Sequence, residues 1–383
     1  MDDIAIVGAG PAGALAGAIL ARAGLKVRLF DRSRFPRHKL CGDTLNPGAL
    51  GVLSRHFDVT RLIESSDPIH GMVLTGPGGV RVRGEYGNQV AGRSITRKVL
   101  DEWVLQQAIA AGAQFEEGVS IRDVVIDDGR ISGVVAGGNG HARMHPAKIV
   151  IAADGRHSTI AFGRGLAKQP QHPRRWAIGS YFKDVAEMTT LGEMHVRRGH
   201  YIGVAPVPGG ITNACLVVPH DHGDAPIAEP MKALERVLHD DPELKSRFAG
   251  AKLVEPPTML GPMAVDTNGA GEPGLLLAGD AAGFIDPMTG DGLRFAFAGA
   301  ELAATVAQEV LSGRLPIDRA HIELANRRRS AFASKWRFNR ALRKLVASPG
   351  NVSIAAATAR VLPSMFTRMI SYAGDCGPAK AGP

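Results

Sequence analysis

The segment Gly8-Ala9-Gly10-Pro11-Ala12-Gly13 follows an apolar run at residues 4–7 and opens an alanine-rich stretch at 12–23 that stops at Gly24. A Gly-x-Gly-x-x-Gly turn between strand and helix gives a tight bend and lets the backbone approach a pyrophosphate, whose charge the helix N-terminus holds. Residues 26–30 then read as the next strand and end at Asp31. An acid about 20 positions past the glycines is placed to accept from a ribose hydroxyl, and it disfavours a 2′-phosphate. Alone, this unit fits NAD, NADP or FAD.

A second segment narrows the choice. A buried strand at 275–278 leads into Gly279-Asp280-Ala281-Ala282, and Pro287-Met288-Thr289-Gly290-Asp291-Gly292 follows before a helix at 293–311. An acid between strand and helix reaches a polyol hydroxyl, so Asp280 suits a ribityl chain. Gly290 and Gly292 let amides approach a flavin pyrimidine, where the positive end of the helix stabilises negative charge. The two segments together indicate FAD. The expected contacts are Gly8, Gly10, Ala12, Gly13, Asp31, Arg32, Gly279, Asp280, Pro287, Gly290, Asp291, Gly292 and Leu293.

The rest of the chain is consistent with a globular enzyme. It has 383 residues, 45% hydrophobic and 21% charged, enough for two or three domains. Its three cysteines, Cys41, Cys215 and Cys376, form neither a disulfide framework nor a metal spacing, so no metal and a reducing compartment are expected. The first strand begins by residue 4, which leaves no room for a signal peptide, and a cytoplasmic location is expected. No apolar stretch lacks charges over a membrane span. The net charge of +8 gathers at Arg327, Arg328, Arg329, Lys335, Arg337, Arg340, Arg343 and Lys344. Helical spacing puts Phe332, Trp336, Phe338, Leu342 and Leu345 on one side and the basic residues on the other faces. Packing of that apolar stripe on its own domain is the favoured reading, peripheral contact with an anionic membrane the second. Nucleic acid is not an expected partner, because no recognised module accompanies the patch.

The organisation is α/β with mixed α+β character. A Rossmann-like FAD-binding domain spans 1–68, 96–172 and 266–314. A discontinuous antiparallel β-sheet domain for substrate spans 69–95 and 173–265, and C-terminal helices occupy 315–383. Residues 32–43 form a loop whose basic side chains face the cofactor if it folds back. A helix at 97–111 is expected to bury Val99, Leu100, Trp103, Val104, Gln107 and Ala108. Cys215, inside an apolar strand, is read as core.

Gly8-x-Gly10-x-x-Gly13, Arg97-x-x-Leu100-Asp101, Ala153-Asp154-Gly155-x-x-Ser158 and Gly279-Asp280-Ala281-Ala282-Gly283-Phe284 resemble the flavoprotein superfamily of aromatic hydroxylases, typified by p-hydroxybenzoate hydroxylase. Phe35-Pro36-Arg37-x-Lys39-x-Cys41-Gly42-Asp43 and Pro287-x-Thr289-Gly290-Asp291-Gly292 look most like its geranylgeranyl reductase group. The resemblance implies that Arg97 contacts the FAD phosphates or a nearby loop, that Asp154 and Gly155 serve FAD and a transient NAD(P)H, and that Cys41 and Gly42 lie against the flavin ring. The group's Tyr-x-Trp-x-Phe-Pro element becomes Tyr201-Ile202-Gly203-Val204-Ala205-Pro206 here, a roomier and less aromatic wall. The tryptophan-rich and lysine elements of flavin-dependent halogenases are not evident.

The leading expectation is an FAD-dependent, NAD(P)H-linked reductase of a carbon–carbon double bond in a hydrophobic, isoprenoid or lipid substrate. Hydride reaches one carbon and an acid protonates the other. Cys41, Tyr201 or a bound water are the candidate proton donors. The rivals are a monooxygenase acting on an aromatic or polyketide-like substrate, and a flavin-binding protein without catalysis.

Overall fold

The computed structural model describes residues 1–87, 90–137, 142–170, 174–219, 228–284, 288, 290–347, 350, 357–358 and 361–375. Two sheets organise them. In the first, Gln114–Glu117, Val27–Asp31, Asp2–Val7, Arg143–Ala152 and Leu275–Leu277 run parallel in that order, with Gly271–Glu272 antiparallel at one edge. Ile4, Ala5, Ile6 and Val7 are all buried, as a continuous apolar run must be when both faces of a parallel sheet are covered.

One face packs against helices Pro11–Arg22, Arg97–Ala110 and Gly292–Leu311, through a core that includes Leu15, Leu100 and Phe297. The alanines of the first helix let its neighbours approach closely. The other face is covered by the antiparallel strands Ile121–Asp127 and Arg130–Ala136, which place Ile121 and Val134 over Val150 and Ala152. Helix Arg97–Ala110 buries Arg97 and Asp101 beside Leu100, Val104, Leu105 and Ala108. Val99, expected in the buried stripe, is instead exposed. An ion pair takes the place that apolar periodicity alone assigns to it.

The second sheet runs Lys252–Leu253, Arg175–Lys183, Ile211–Pro219, Tyr201–Val207, Leu191–Val196, Gly71–Gly76 and Val80–Glu85. It is antiparallel except at one seam, where Leu191–Val196 lies parallel to Gly71–Gly76. The chain enters this sheet twice, first as the hairpin of 71–85 and again from 175 onward, and the seam joins the two visits. Alternation sends Met72, Met194, Gly203, Cys215 and Ala177 to the face opposite the first sheet's edge, and Ile178, Ile202, Val204 and Leu216 to a core under helix Pro230–Asp240.

A buried polar cluster pins the back of this sheet. The Arg247 guanidinium donates to both oxygens of Glu193 at 2.7 and 2.8 Å. Glu193 also meets His195 Nε2 at 2.9 Å, and His195 Nδ1 meets Thr75 Oγ1 at 2.9 Å. Burial works against the charge on Glu193, but the bonds from His195 and Arg247 outweigh it and hold its pKa down to about 2.

Helix Ala320–Ala347 buries Ala320, Leu324, Arg328, Phe332, Lys335 and Asn339 at steps of three and four. It packs on its own domain, yet two of its cations turn inward, contrary to the expected segregation. Lys335 Nζ reaches Ala373 O at 3.0 Å, Tyr372 O and Asp291 Oδ1 at 3.3 Å, tying helix Pro363–Ala373 to the first domain. No described helix is long and apolar enough to cross a membrane.

Arg247→Leu should cost about 3–5 kcal/mol at pH 7, because it strands a buried carboxylate. Glu193's contribution, about 3 kcal/mol from its depressed pKa, is complete above its ordinary 4.5 and is lost as pH falls toward 2. Denaturant unfolding should therefore show the gap between parent and variant narrowing below pH 4.5, and a constant gap down to pH 3 contradicts the account.

Candidate active site

In the first sheet Val7 pairs with Ala152, and Ala152 with Leu277. Three strands therefore end side by side, and the segments after them, Gly8 to Gly10, Ala153 to Gly155 and Gly279 to Asp280, meet at the carboxyl edge where open α/β sheets bind ligands. Gly8 has φ +98°, and a Cβ there would lie 2.5 Å from Ala153 O. A Cβ on Gly13 would lie 1.8 Å from Gly8 O. Side chains at either position would push the turn, the helix and the neighbouring strand apart.

Helix Pro11–Arg22 starts from Gly10 without a side-chain cap, so its first N–H groups are left for a ligand. Asp31 braces the turn: its Oδ2 accepts from Ala9 N and its Oδ1 from Ser33 N, both at 2.8 Å. The loop after Asp31 folds back over this edge. Arg37 stacks 4.9 Å over the Phe35 ring and sits 3.3 Å from Asp101, while Lys39 Nζ lies 4.0 Å from Asp280 Oδ2.

One continuous cavity runs from this edge to the second sheet. Gly8, Gly10, Ala12, Asp31, Cys41, Gly42, Arg97, Asp154, Gly155, Gly279, Asp280, Gly290, Gly292 and Leu293 all line it. Arg97 forks onto Asp101 at 2.6 and 2.8 Å. Burial opposes its charge, but Asp101 outweighs burial and holds its pKa above the ordinary value. Asp154 caps the following turn by accepting from Thr159 N at 2.8 Å.

Other expected residues lie elsewhere. Gly13 sits behind the turn. Arg32 is exposed and does not line the cavity; Arg37, Lys39 and Arg156 do. Asp291 turns its carboxylate away, toward Asn46 at 3.2 Å and Lys335. Tyr201, 3% exposed, is packed beneath Arg175 and is not part of the lining. Pro287 lies outside the described residues. Cys215, read as core, lines the cavity opposite Gly203, and burial pushes its pKa up to about 12.

The acid of this site is Asp43, the last residue of the Phe35-to-Asp43 motif, to which the motif alone gives no role. Asp43 is 1% exposed, with φ +52°, a left-handed backbone that Asp tolerates better than most residues. Its Oδ2 accepts from Tyr181 Oη at 2.6 Å and Asn213 Nδ2 at 2.7 Å, and its Oδ1 from Arg97 N at 3.1 Å. Asn213 lines the cavity and also donates to Cys41 O at 2.8 Å. Burial outweighs these bonds and raises the Asp43 pKa to about 6. Burial likewise raises the Cys41 thiol, with Asp43 adding to the shift and Arg97 opposing it, so Cys41 presents a neutral S–H at the cavity wall. Tyr181 and Asn213 are register partners, a juxtaposition visible only once the strands are paired.

The donors fit FAD. An uncapped helix N-terminus, the Arg37 and Arg156 cations, and a buried Arg156 Nε without a hydrogen-bond partner suit a diphosphate. Asp31 and Asp280 are acceptors for hydroxyls, and the backbone at Gly290 to Leu293 opens onto the same space.

Comparison with known proteins gives a concordant result. The FAD binding domain family matches residues 1–337. Digeranylgeranylglycerophospholipid reductase 2 of Methanopyrus kandleri is 28% identical over 316 residues, covering 81% of this chain and 77% of that protein. Geranylgeranyl diphosphate reductase of Rhodobacter capsulatus is 30% identical over 326 residues, covering 82% and 77%. A solved flavin-dependent brominase triple mutant superposes with a TM-score of 0.84 over 100% of this chain and 96% of that one, at 18% identity. That last likeness is one of fold alone.

A raised carboxyl pKa means the folded state keeps a proton that the unfolded chain has released. The resulting cost is absent below the ordinary 3.8 and complete above about 6, where it amounts to about 3 kcal/mol. Asp43→Asn removes it. Between pH 4 and pH 8 the stability of Asp43→Asn relative to the parent should rise by about 3 kcal/mol, whatever fixed penalty its altered hydrogen bonds impose. Parallel stability curves for the two proteins would sink this assignment.

Proposed function

The chain belongs to the FAD-binding-domain family and is an FAD-dependent oxidoreductase, and from that premise we propose that it reduces a carbon–carbon double bond in a hydrophobic, isoprenoid substrate with electrons from NAD(P)H. When bound, FAD supplies the hydride. The protein must bind the substrate, exclude water and supply a proton to the second carbon.

The observation that carries this reading is Cys41 at the cavity wall, bridged through Asn213 to the buried carboxyl of Asp43. Double-bond reduction consumes a proton at carbon, whereas monooxygenation needs a dry pocket and no such donor. Cys41 is the catalytic proton donor in this reading. Asp43 is a positioning residue, which holds the Cys41–Gly42 loop through Asn213 and titrates near 6. Around them Met72, Met194, Leu260, Met263, Phe284 and Met288 give a largely apolar lining, in keeping with a hydrocarbon chain. The two reductase relatives act, by their names, on geranylgeranyl compounds, which supports the substrate class. The floor at Gly203 and Ala205 also leaves room for a flat ring, and this observation favours monooxygenation as the second reading.

Host lipid extract incubated with the holoprotein and NAD(P)H without oxygen should yield a product heavier by about two mass units. A product heavier by about sixteen that requires oxygen would replace the reductase reading with the monooxygenase one. Cys41→Ala should slow product formation by about 10²-fold or more, with Cys41→Ser milder, while NAD(P)H still bleaches the flavin at the parental rate. Asp43→Asn should erase the limb of the pH–rate profile near 6. A profile unchanged by that substitution removes Asp43 from the mechanism.

A further inference from the structure

Arg328 is 6% exposed on the inward stripe of helix Ala320–Ala347. Its Nη2 donates to Ala282 O at 2.8 Å, and its Nη1 has no hydrogen-bond partner. The guanidinium lies 5.6 Å over the Phe332 ring, in room that Gly299 leaves: a Cβ there would come within 2.8 Å of Nη1. Among the described residues no carboxylate is paired with it, and burial alone pulls its pKa down to about 10. A buried cation without a counter-ion costs several kcal/mol. Arg327, the residue before it, shows the ordinary solution, with bonds to both Glu309 and Glu323.

Arg328 lines a second cavity, which shares Gly279, Asp280, Phe284, Gly292 and Ala296 with the main one but not its Cys41 end. Its lining carries Arg329 and Arg340, both exposed, and Asn339, 4% exposed, whose Oδ1 also lacks a partner. Asn339 lies about 16 Å along the helix from Arg328, at 1.5 Å per residue, so the cavity is elongated, with Trp336 between its ends. Of the acids that border it, Asp280 lies 4.0 Å from Lys39, Asp291 is held by Asn46 and Lys335, and Asp266 is exposed.

We propose that this cavity is an oxyanion site that takes the phosphate group of a phosphate monoester, with Arg328 as its buried donor and Arg329 at its mouth. A guanidinium with an unpaired Nη1 suits a phosphate oxygen. A monoester, with a second pKa near 6, carries more charge than a carboxylate at neutral pH and three strong acceptor oxygens. The remainder of the ligand extends along Trp336 toward Asn339 and Arg340, where the unpartnered Asn339 Oδ1 accepts from a hydroxyl or amino group. The site is separate from the proton donor, since neither Cys41 nor Asp43 lines it, and it borders the cofactor cradle at Gly279, Asp280 and Gly292.

The test is isothermal titration of the full-length, FAD-loaded protein with inorganic phosphate at fixed ionic strength, so that the diphosphate cradle is already filled. Saturable one-site binding is expected, weakened at least tenfold in Arg329→Glu, an exposed change, and abolished in Arg328→Met where that variant folds. Glycerol 3-phosphate and phosphatidylcholine vesicles with or without phosphatidic acid distinguish the sources. Arg329-dependent binding of glycerol 3-phosphate alone points to a soluble ester, and Arg329-dependent sedimentation only with phosphatidic acid points to a lipid headgroup. No saturable phosphate binding, or an affinity unchanged by Arg329→Glu, overturns the proposal.

Discussion

The contact between Gly8 and Ala153 is the constraint on which the remainder of the molecule depends. Two parallel strands end at the same level, and the bend after the first passes so close to the second that a Cβ would lie 2.5 Å from a carbonyl. That approach lets helix Pro11–Arg22 begin directly over the sheet edge and aim its uncapped N-terminus at the cavity. It also brings Asp154 and Gly155 beside the turn. The third strand, Leu275–Leu277, delivers Gly279 and Asp280 to the same place. Segments distant in the chain become one binding surface because three strands stop in register.

The second sheet supplies what the first cannot. A dinucleotide cradle is polar and open, whereas chemistry on an apolar substrate needs a dry wall and a controlled proton. The loop after Asp31 joins the two: Arg37 and Lys39 turn to the cradle, while Cys41 and Asp43 turn to the sheet, where Asn213 and Tyr181 receive Asp43. The Glu193–Arg247 cluster holds the sheet from behind. A carboxyl poised near neutrality is therefore built from burial on one side and hydrogen bonds on the other.

Much of the cradle was legible in the sequence, because its determinants are local. A glycine turn, an acid after the next strand and a second strand–turn–helix each announce themselves within a few residues, and Gly8, Asp31 and Asp280 line the cavity as those patterns require. Asp43 with Tyr181 and Asn213 was not legible, since it depends on a strand register and on partners more than a hundred residues away. Helix Ala320–Ala347 shows the same limit. Its period was readable, but Arg328 and Lys335 turn inward because carbonyls at Ala282, Tyr372 and Ala373 await them. The parallel seam at Leu191–Val196 arises from the chain's two visits to one sheet, which alternation within either visit does not reveal.

The proposed chemistry depends most heavily on Asp43 as a buried, protonatable acid linked to Cys41 through Asn213. Infrared titration of the FAD-loaded protein, with Asp43→Asn as the subtraction, measures that directly. A protonated-carboxyl stretch present at low pH, absent in the variant and lost with a midpoint near 6 is the predicted result. A difference spectrum without that band, or a midpoint at the ordinary 3.8, would contradict it.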